Sequence, residues 1–187
     1  MTNIDYTGKL LVAQPIAEEY SRHFAKAVVL VAQHSMSGTW GVVVNNHTAN
    51  VKMTEVFAAA GIDCQLNEEV YIGGPVEKSR VHVIHTMDWS SSSTLEITKD
   101  IGITGDISVL AAISRGEGPK MYRIGIGLAV WAPGQLEGEQ SGIPPWGPQN
   151  RWLTTDATLD LVLTGMGEEQ WQRAINECVN QSISDFF

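Results

Sequence analysis

Basic residues are scarce in this chain of 187 residues, and the scarcity argues against one class of function. Lys and Arg number 12 against 21 Asp and Glu, which gives a formal net charge of −9 at pH 7. The 12 are scattered along the chain and form no run. Proteins that bind DNA or RNA usually neutralise phosphates with a basic stripe. We therefore do not expect direct nucleic-acid binding.

Long apolar runs and cysteines are scarce as well. The longest apolar stretch, Ile124 to Pro133, contains glycines and is far shorter than the roughly 20 residues that a membrane-spanning helix needs. The first residues, MTNIDYTGKL, lack the charged-then-apolar pattern of a secretory signal. Cys64 and Cys178 stand alone, which fits a reducing compartment. We expect a cytoplasmic protein without a membrane segment, and the redox activity of Cys64 stays open.

Sequence patterns for metals, cofactors and activated nucleophiles are missing. The chain contains no HxH, HExxH, GxSxG or SxxK pattern, and neither phosphate-binding glycine spacing, GxxxxGK[ST] or GxGxxG. Each of these spacings places reactive groups on one side of a turn or helix, so isolated residues of the same types are weak evidence. We expect no metal and no cofactor.

Short apolar segments separated by turn residues are what the chain does have. Its length suits one domain, residues 1–187, with a full-sized core. Strands and helices interleave, and some links are of hairpin length, which predicts an α+β domain with a mixed sheet. The predicted strands include Val28–Ala32, Trp40–Val44, Val70–Ile72, Val81–Ile84 and Met121–Trp131, and the predicted helices include 17–25, 55–60, 104–114 and 168–180.

Several local features refine this prediction. Thr54 and Thr104 are the residue type that caps helix N-termini, so we expect them to begin two helices. Residues 133–150 are rich in Gly, Pro and Gln and predict an irregular surface loop, within which Glu137 and Glu139 indicate a solvated helix start. Three tryptophans bracket this loop and either pin it to the body or present a partner surface: Trp131, Trp146 and Trp152.

The segment VYIGGPVEKSRVHVIH, residues 70–85, raises the question of a ligand site. The amides of Gly73 and Gly74 can form a concavity for an anion, with Lys78 and Arg80 supplying positive charge. Alternatively, the segment only turns the chain, and Pro75 fixes one φ angle of that turn. Glycine marks turns far more often than ligand sites, which favours the turn.

A second Gly-Pro segment, GEGPK at residues 116–120, resembles the first. It follows a predicted helix and fits a helix C-terminus with a proline just beyond. A sharper hypothesis brings Gly118 and Lys120 to the same rim as the first segment, together with Asn45. On that hypothesis the rim binds a small anion.

Two histidines suggest an enzymatic alternative. His34 and His85 both lie at the ends of predicted strands, where active sites often collect, and Asn45 also follows a strand. An enzyme with a site around His34, Asn45 and His85 is therefore an open alternative. The competing interpretation is a hydrogen-bonded structural histidine at each position.

An ordered set of motifs resembles the AlgH-like family of bacterial proteins across almost the whole chain. The motifs are GKLLVAQP at 8–15, WGVVVN at 40–45, YIGGPV at 71–76, GEGP at 116–119, WAPGQLE at 131–137 and WL at 152–153. The resemblance implies a single α+β domain with a strongly bent, partly barrel-like sheet flanked by helices. Members are often labelled transcriptional regulators, and the family has no settled reaction or ligand.

This chain departs from the family pattern in three places. Asn46 and His47 stand where a basic residue and a proline are usual, Leu128-Ala129-Val130 replaces a Tyr-Ala-Gly pattern, and residues 136–152 are longer than expected. All three changes fall where a shared pocket would form.

The leading hypothesis is a non-catalytic regulatory or adaptor protein that binds a small anionic metabolite or a protein partner. Its candidate ligand-binding residues are Asn45, Gly73, Gly74, Pro75, Lys78, Arg80, Gly118 and Lys120. The enzyme described above and a transcription-linked regulator are the alternatives. No helix-turn-helix pattern supports the latter, and the acidic charge argues against it.

Overall fold

Ten strands and five helices follow one another in the computed structural model, which describes residues 4–15, 23–48, 50–146 and 152–184. The strands are β1 (Lys9–Ala13), β2 (Val28–Ser35), β3 (Gly38–Val43), β4 (His47–Thr48), β5 (Val70–Ile72), β6 (Val76–Thr86), β7 (Leu95–Glu96), β8 (Ile101–Thr104), β9 (Tyr122–Trp131) and β10 (Trp152–Asp156). The helices are α1 (Met53–Ala59), α2 (Ile107–Ser114), α3 (Gln135–Ser141), α4 (Leu159–Leu163) and α5 (Gly167–Ser184).

One sheet contains all of these strands. Its main path runs β10-β1-β2-β3-β9-β6-β8-β7, and β4 and β5 form a branch that joins at β9. Every pair is antiparallel except β5 with β9, so the sheet is mixed. Its ends, β10 and β7, do not pair with each other in the described residues, so the sheet is open. The prediction of a single α+β domain with a mixed sheet is confirmed.

The first five residues of strand β2, Val28 to Ala32, are apolar and buried because both faces of the strand are covered there. Val28 and Leu30 pack in a cluster with α4 and α5, whereas Val29 and Val31 pack on the other face with Trp131 and Leu136. A strand buried on both faces reads as a continuous apolar run, as the sequence indicated. A third cluster holds α1 and α2 against β6 and β9. None of the helices in the described part of the chain could cross a membrane.

Strand β9 is the centre of the sheet and has three neighbours. Its last residues pair with β3, and residues 124–126 pair with both β5 and β6. A strand has only two edges, so β5 and β6 lie on opposite edges of β9. The chain between them, Gly73-Gly74-Pro75, must therefore cross over β9. We call these three residues the crossing segment.

The crossing brings two backbones into contact at Gly127 of β9. A Cβ added at Gly73 would clash with the Gly127 carbonyl oxygen, and one added at Gly74 would clash with the backbone of Leu128. The Gly73 amide donates to the Ile126 carbonyl at 2.8 Å, and the Gly73 carbonyl accepts from the Val43 amide at 2.8 Å. The glycines therefore serve the close approach, and the Gly73 amide is occupied within the sheet.

Both predicted helix caps are wrong by two residues. Helix α1 begins after Lys52, whose amide donates to the Glu55 carboxylate at 3.1 Å, and not at Thr54. Helix α2 begins after Asp106, whose carboxylate accepts from the Ser108 amide at 2.9 Å. Thr104 instead ends β8, a strand that the sequence did not indicate. Thr104 pairs with Val83 of β6, so the strand continues through Thr104 and the helix begins later.

The predicted loop at 133–150 contains helix α3, and both predicted helix-start residues, Glu137 and Glu139, lie in it. Glu139 is also buried rather than solvated. Its carboxylate accepts from the indoles of Trp131 at 3.0 Å and Trp152 at 2.8 Å, and from the Gln135 amide at 2.9 Å. Trp131 and Trp152 thus pin this region to the body. Residues 147–151, and 17–22 of the predicted helix 17–25, lie outside the described residues.

We expect Gly73→Ala to lower the free energy of unfolding by at least about 2 kcal/mol, because its Cβ has no room over β9. Gly105→Ala is the matched control. An added Cβ there meets only the Val81 carbonyl oxygen at 3.9 Å, and Gly105 is exposed. Its effect should stay within about 1 kcal/mol. Urea unfolding of both variants measures the difference, and equal effects would contradict the crossing.

Candidate ligand-binding site

A cavity of about 280 Å³ lies beside the crossing segment, and we call it the Lys78 cavity. Gly74, Pro75 and Lys78, three of the predicted ligand residues, line it. Its other lining residues are His23, Val43, Asn46, Ile72 and Ile126. The structure thus brings part of the predicted set to a concave surface with mostly apolar walls.

A bulge in β6 places Lys78 at this cavity. Val76 pairs with Leu128 and Val81 pairs with Ile126, so residues 77–80 all stand opposite Gly127 alone. Glu77 adopts a left-handed φ of 48° within the bulge. The extra residues push the strand away from β9 and project their side chains into solvent.

The two predicted cations differ in their surroundings. Arg80 forms an ion pair with Glu77 at 2.9 Å, and both side chains are more than half exposed. Such exposed pairs contribute about 0–1 kcal/mol. Lys78 is exposed and makes no ion pair with the described residues. Lys78 is therefore the cation that remains available to a ligand.

A second depression of about 250 Å³ adjoins the Lys78 cavity and shares His23, Val43 and Asn46 with it. Asn45 and Lys26 line this depression, but their polar groups are engaged. The Lys26 ammonium lies 3.0 Å from the Glu168 carboxylate and 5.9 Å from the centre of the Trp171 ring.

The second Gly-Pro segment is far from the first, which corrects the expectation of one rim. It lies just before Tyr122, which pairs with His85, whereas the crossing segment lies by Leu128. Six residues of extended strand separate these positions by about 20 Å. Gly118 packs closely against Ile113 of α2, and the Lys120 amide donates to the Asp88 carboxylate at 3.3 Å.

Asn45 is buried and fully engaged by the backbone. Its side-chain oxygen accepts from the Val28 amide at 2.8 Å, and its NH₂ group donates to the carbonyls of Lys26 at 2.8 Å and Gly167 at 2.9 Å. Its own carbonyl accepts from the Gly167 amide at 2.8 Å. Asn45 thus joins the start of β2 to the start of α5.

His85 is fully buried with both ring nitrogens engaged. Nδ1 lies 3.0 Å from the Thr86 carbonyl oxygen and Nε2 lies 2.9 Å from the Thr104 hydroxyl. A carbonyl only accepts, so Nδ1 donates and Nε2 accepts from the hydroxyl. Burial lowers the pKa of His85, which favours this neutral form.

The three residues of the enzymatic alternative do not meet. His34 lies at the end of β2, with Nδ1 2.7 Å from the Thr39 hydroxyl and Nε2 3.6 Å from the Glu137 carboxylate. Asn45 contacts Val28 at the other end of the same strand, about 20 Å away by strand length. The expectation of one site around His34, Asn45 and His85 is therefore wrong in its geometry.

His82 is the residue that sequence reasoning missed. Added Cβ atoms at Gly73 and Gly125 would both overlap its imidazole, so the ring fills the space that these glycines leave. Its Nδ1 is buried without a hydrogen-bond partner in the described residues. Burial, and secondarily the charge of Arg80, lowers the pKa of His82 to about 4. The only sequence signal was that His82 stands two residues before the apolar Ile84, which places both side chains on the same face of β6.

The two cysteines and the metal-ligating residue types offer no reactive site among the described residues. Burial raises the pKa of the Cys178 thiol to about 11, which makes it inert near neutral pH. Cys64 is partly buried against the cluster around α1. Within the described ranges, no group of three or more His, Cys, Asp or Glu side chains is arranged to hold a metal ion.

The open mixed sheet and its helices define an α+β protein, and comparison with known proteins gives its family. The chain belongs to the AlgH-like family, whose model matches residues 10–182. The family assignment made from the ordered motifs is thus confirmed.

Relatives in this family match the chain along nearly its whole length. A UPF0301 protein of Rhodopseudomonas palustris is 34% identical over 181 residues, which are 91% of this chain and 81% of that protein. The solution structure of AlgH from Pseudomonas aeruginosa has a TM-score of 0.76 and 29% identity, over 95% of this chain and 90% of that one. A crystal structure from Corynebacterium diphtheriae, at 23% identity and a TM-score of 0.69 over 92% and 87%, shares the fold.

We expect Asn45→Ala to lower the free energy of unfolding by about 3 kcal/mol, because it strands one amide and two carbonyls that Asn45 now satisfies. Asn46→Ala is the matched control, since the neighbouring Asn46 side chain is exposed. Its effect should stay within about 0.5 kcal/mol. Chemical denaturation of the two variants decides, and an unaffected Asn45→Ala protein would refute the structural role.

The lowered pKa of His82 predicts a loss of stability in mild acid. Since the unfolded imidazole titrates near 6.5 and the folded one near 4, stability is fully present above pH 6.5 and falls as the pH drops toward 4. Between pH 7 and 5, the wild type should lose about 2 kcal/mol more than His82→Gln. Urea unfolding at both pH values tests this. If the wild type and His82→Gln lose the same free energy of unfolding between these pH values, His82 is not the titrating group.

Proposed function

We propose that this AlgH-like protein is a non-catalytic regulatory protein of the cytoplasm, and that it binds a small amphipathic anion in the Lys78 cavity. The observation that carries the proposal is the combination of mostly apolar walls with one cation that has no ion-pair partner in the described residues. Ligand sites of this type use apolar surface for affinity and a few polar groups for orientation.

The walls and the cation define two ends of the ligand. Val43, Ile72 and Ile126 offer apolar side chains, and Pro75 adds a rigid ring. These suit a short hydrocarbon or aromatic body. Lys78 provides an ammonium for a carboxylate or phosphate head, and a lysine ammonium attracts either as a point charge. The volume of about 280 Å³ suits a small metabolite.

The histidines and Asn45 support a non-catalytic protein. The hydrogen bonds of His85 and Asn45 hold strands and a helix in place, and neither residue lines the Lys78 cavity. General acid–base catalysis needs a titratable group within hydrogen-bond reach of the substrate. Among the described residues that line the Lys78 cavity, His23 is the one histidine, and no carboxylate, thiol or second histidine lines the cavity with it to form an acid–base pair.

Hexanoate and 1-hexanol are suitable probes, because they share an apolar chain and differ in charge. We expect hexanoate to bind more tightly than 1-hexanol in isothermal titration, and Lys78→Ala to weaken hexanoate binding about 3- to 10-fold while leaving 1-hexanol unchanged. Lys120→Ala is the matched control, because Lys120 lies at the far end of β9.

Two outcomes of these titrations would overturn the proposal. If neither probe binds, or if Lys78→Ala and Lys120→Ala weaken hexanoate equally, the Lys78 cavity is not an anion site.

A further inference from the structure

A separate cavity of about 410 Å³ lies near the start of β9, and we call it the Arg123 cavity. Its lining combines one buried cation, two tyrosines and two acidic residues: Arg123, Tyr71, Tyr122, Glu68 and Glu69, with Leu163 beside them. None of these residues belongs to the Lys78 cavity.

Arg123 is a buried charge held only by neutral acceptors. Only 6% of the Arg123 residue surface is exposed. Nη1 donates to the Val44 carbonyl and to the Gln170 side-chain oxygen, the latter at 2.9 Å, and Nη2 donates to the Gly165 carbonyl. The Tyr71 ring lies 4.6 Å from Cζ. These contacts fix the guanidinium but leave its positive charge uncompensated.

No carboxylate in the described residues pairs with Arg123. The other arginine that acts on it, Arg173, repels it electrostatically. Buried charges in proteins are normally paired, because removing an ion from water is costly. Nε and one N–H of Nη2 also lack an acceptor in the described part of the chain. Arg123 thus retains both charge and donors for a ligand carboxylate.

The rim of this cavity carries the opposite charge. Glu68 and Glu69 are exposed, and the Glu68 carboxylate accepts from the Tyr122 hydroxyl at 3.0 Å. Burial raises the pKa of Tyr71, while Arg123 acts to lower it and both glutamates act to raise it. Positive and negative charges therefore act on the same phenol from within one cavity.

We propose that the Arg123 cavity binds an α-amino acid with an apolar side chain, as its zwitterion. Arg123 receives the carboxylate, and Glu68 and Glu69 receive the ammonium. The side chain packs against Tyr71 and Leu163. The arrangement selects against simpler ligands, since the glutamates repel an anion without an amine and Arg123 repels an amine without a carboxylate.

Three probes separate these requirements: L-phenylalanine, 3-phenylpropionate without the amine, and phenethylamine without the carboxylate. Isothermal titration of the full chain carrying Lys78→Ala, which removes the cation of the other cavity, should show L-phenylalanine binding at least about tenfold more tightly than either of the others. Equal affinities for L-phenylalanine and 3-phenylpropionate, or no binding of any probe, would overturn the proposal.

Variants at the rim test the site without disturbing the buried arginine. Glu69→Gln, alone and with Glu68→Gln, should weaken the binding of L-phenylalanine and strengthen the binding of 3-phenylpropionate. The ratio of their two dissociation constants should therefore fall several-fold. Glu96→Gln on β7 is the matched control, because it removes an exposed carboxylate elsewhere. If that ratio is unchanged in the rim variants, the proposal fails and Arg123 has a structural role only.

The two cavities are distinguished by crossed titrations. Lys78→Ala, which weakens hexanoate, should leave L-phenylalanine affinity unchanged. If Lys78→Ala weakens L-phenylalanine as much as the rim variants do, the amino acid is not in the Arg123 cavity and the proposal fails.

Discussion

The backbone contact at Gly127 is the constraint on which the rest of the structure depends. Because β5 and β6 use opposite edges of β9, the chain must pass over that strand, and only residues without a Cβ fit between the two backbones. The same passage covers His82 and carries Pro75 and Lys78 to a concave surface. A candidate ligand site therefore exists here as a consequence of topology.

Two polar side chains hold the core beside this crossing. Asn45 joins the start of β2 to the start of α5, and Arg123 joins β9 to the end of β3 and to Gly165 between α4 and α5. They differ in what remains unsatisfied. The side-chain groups of Asn45 all have partners, whereas Arg123 keeps a charge that no described carboxylate balances. That difference separates a structural residue from a candidate ligand residue.

The fold was largely predictable, because its strongest signals are local. The apolar runs of β2, β3 and β9 and the apolar stripe of α5 follow from burial, and the ordered motifs identified the family. Prediction failed where a distant partner overrides a local preference. Thr104 is a good helix cap, yet pairing with Val83 of β6 keeps it in a strand. Glu139 looks solvated, yet two indoles from other elements enclose it.

The sequence by itself determined the α+β class, the acidic surface charge and the glycines at Gly73 and Gly74. It did not show that these glycines cross β9, because strand pairing joins residues far apart along the chain. For the same reason the sequence left open the hypothesis that Lys78 and Lys120 share one rim, although they lie at opposite ends of β9. Only the tertiary structure decided which polar groups already have partners. Hydrogen bonding and burial depend on neighbours in space rather than on neighbours in sequence.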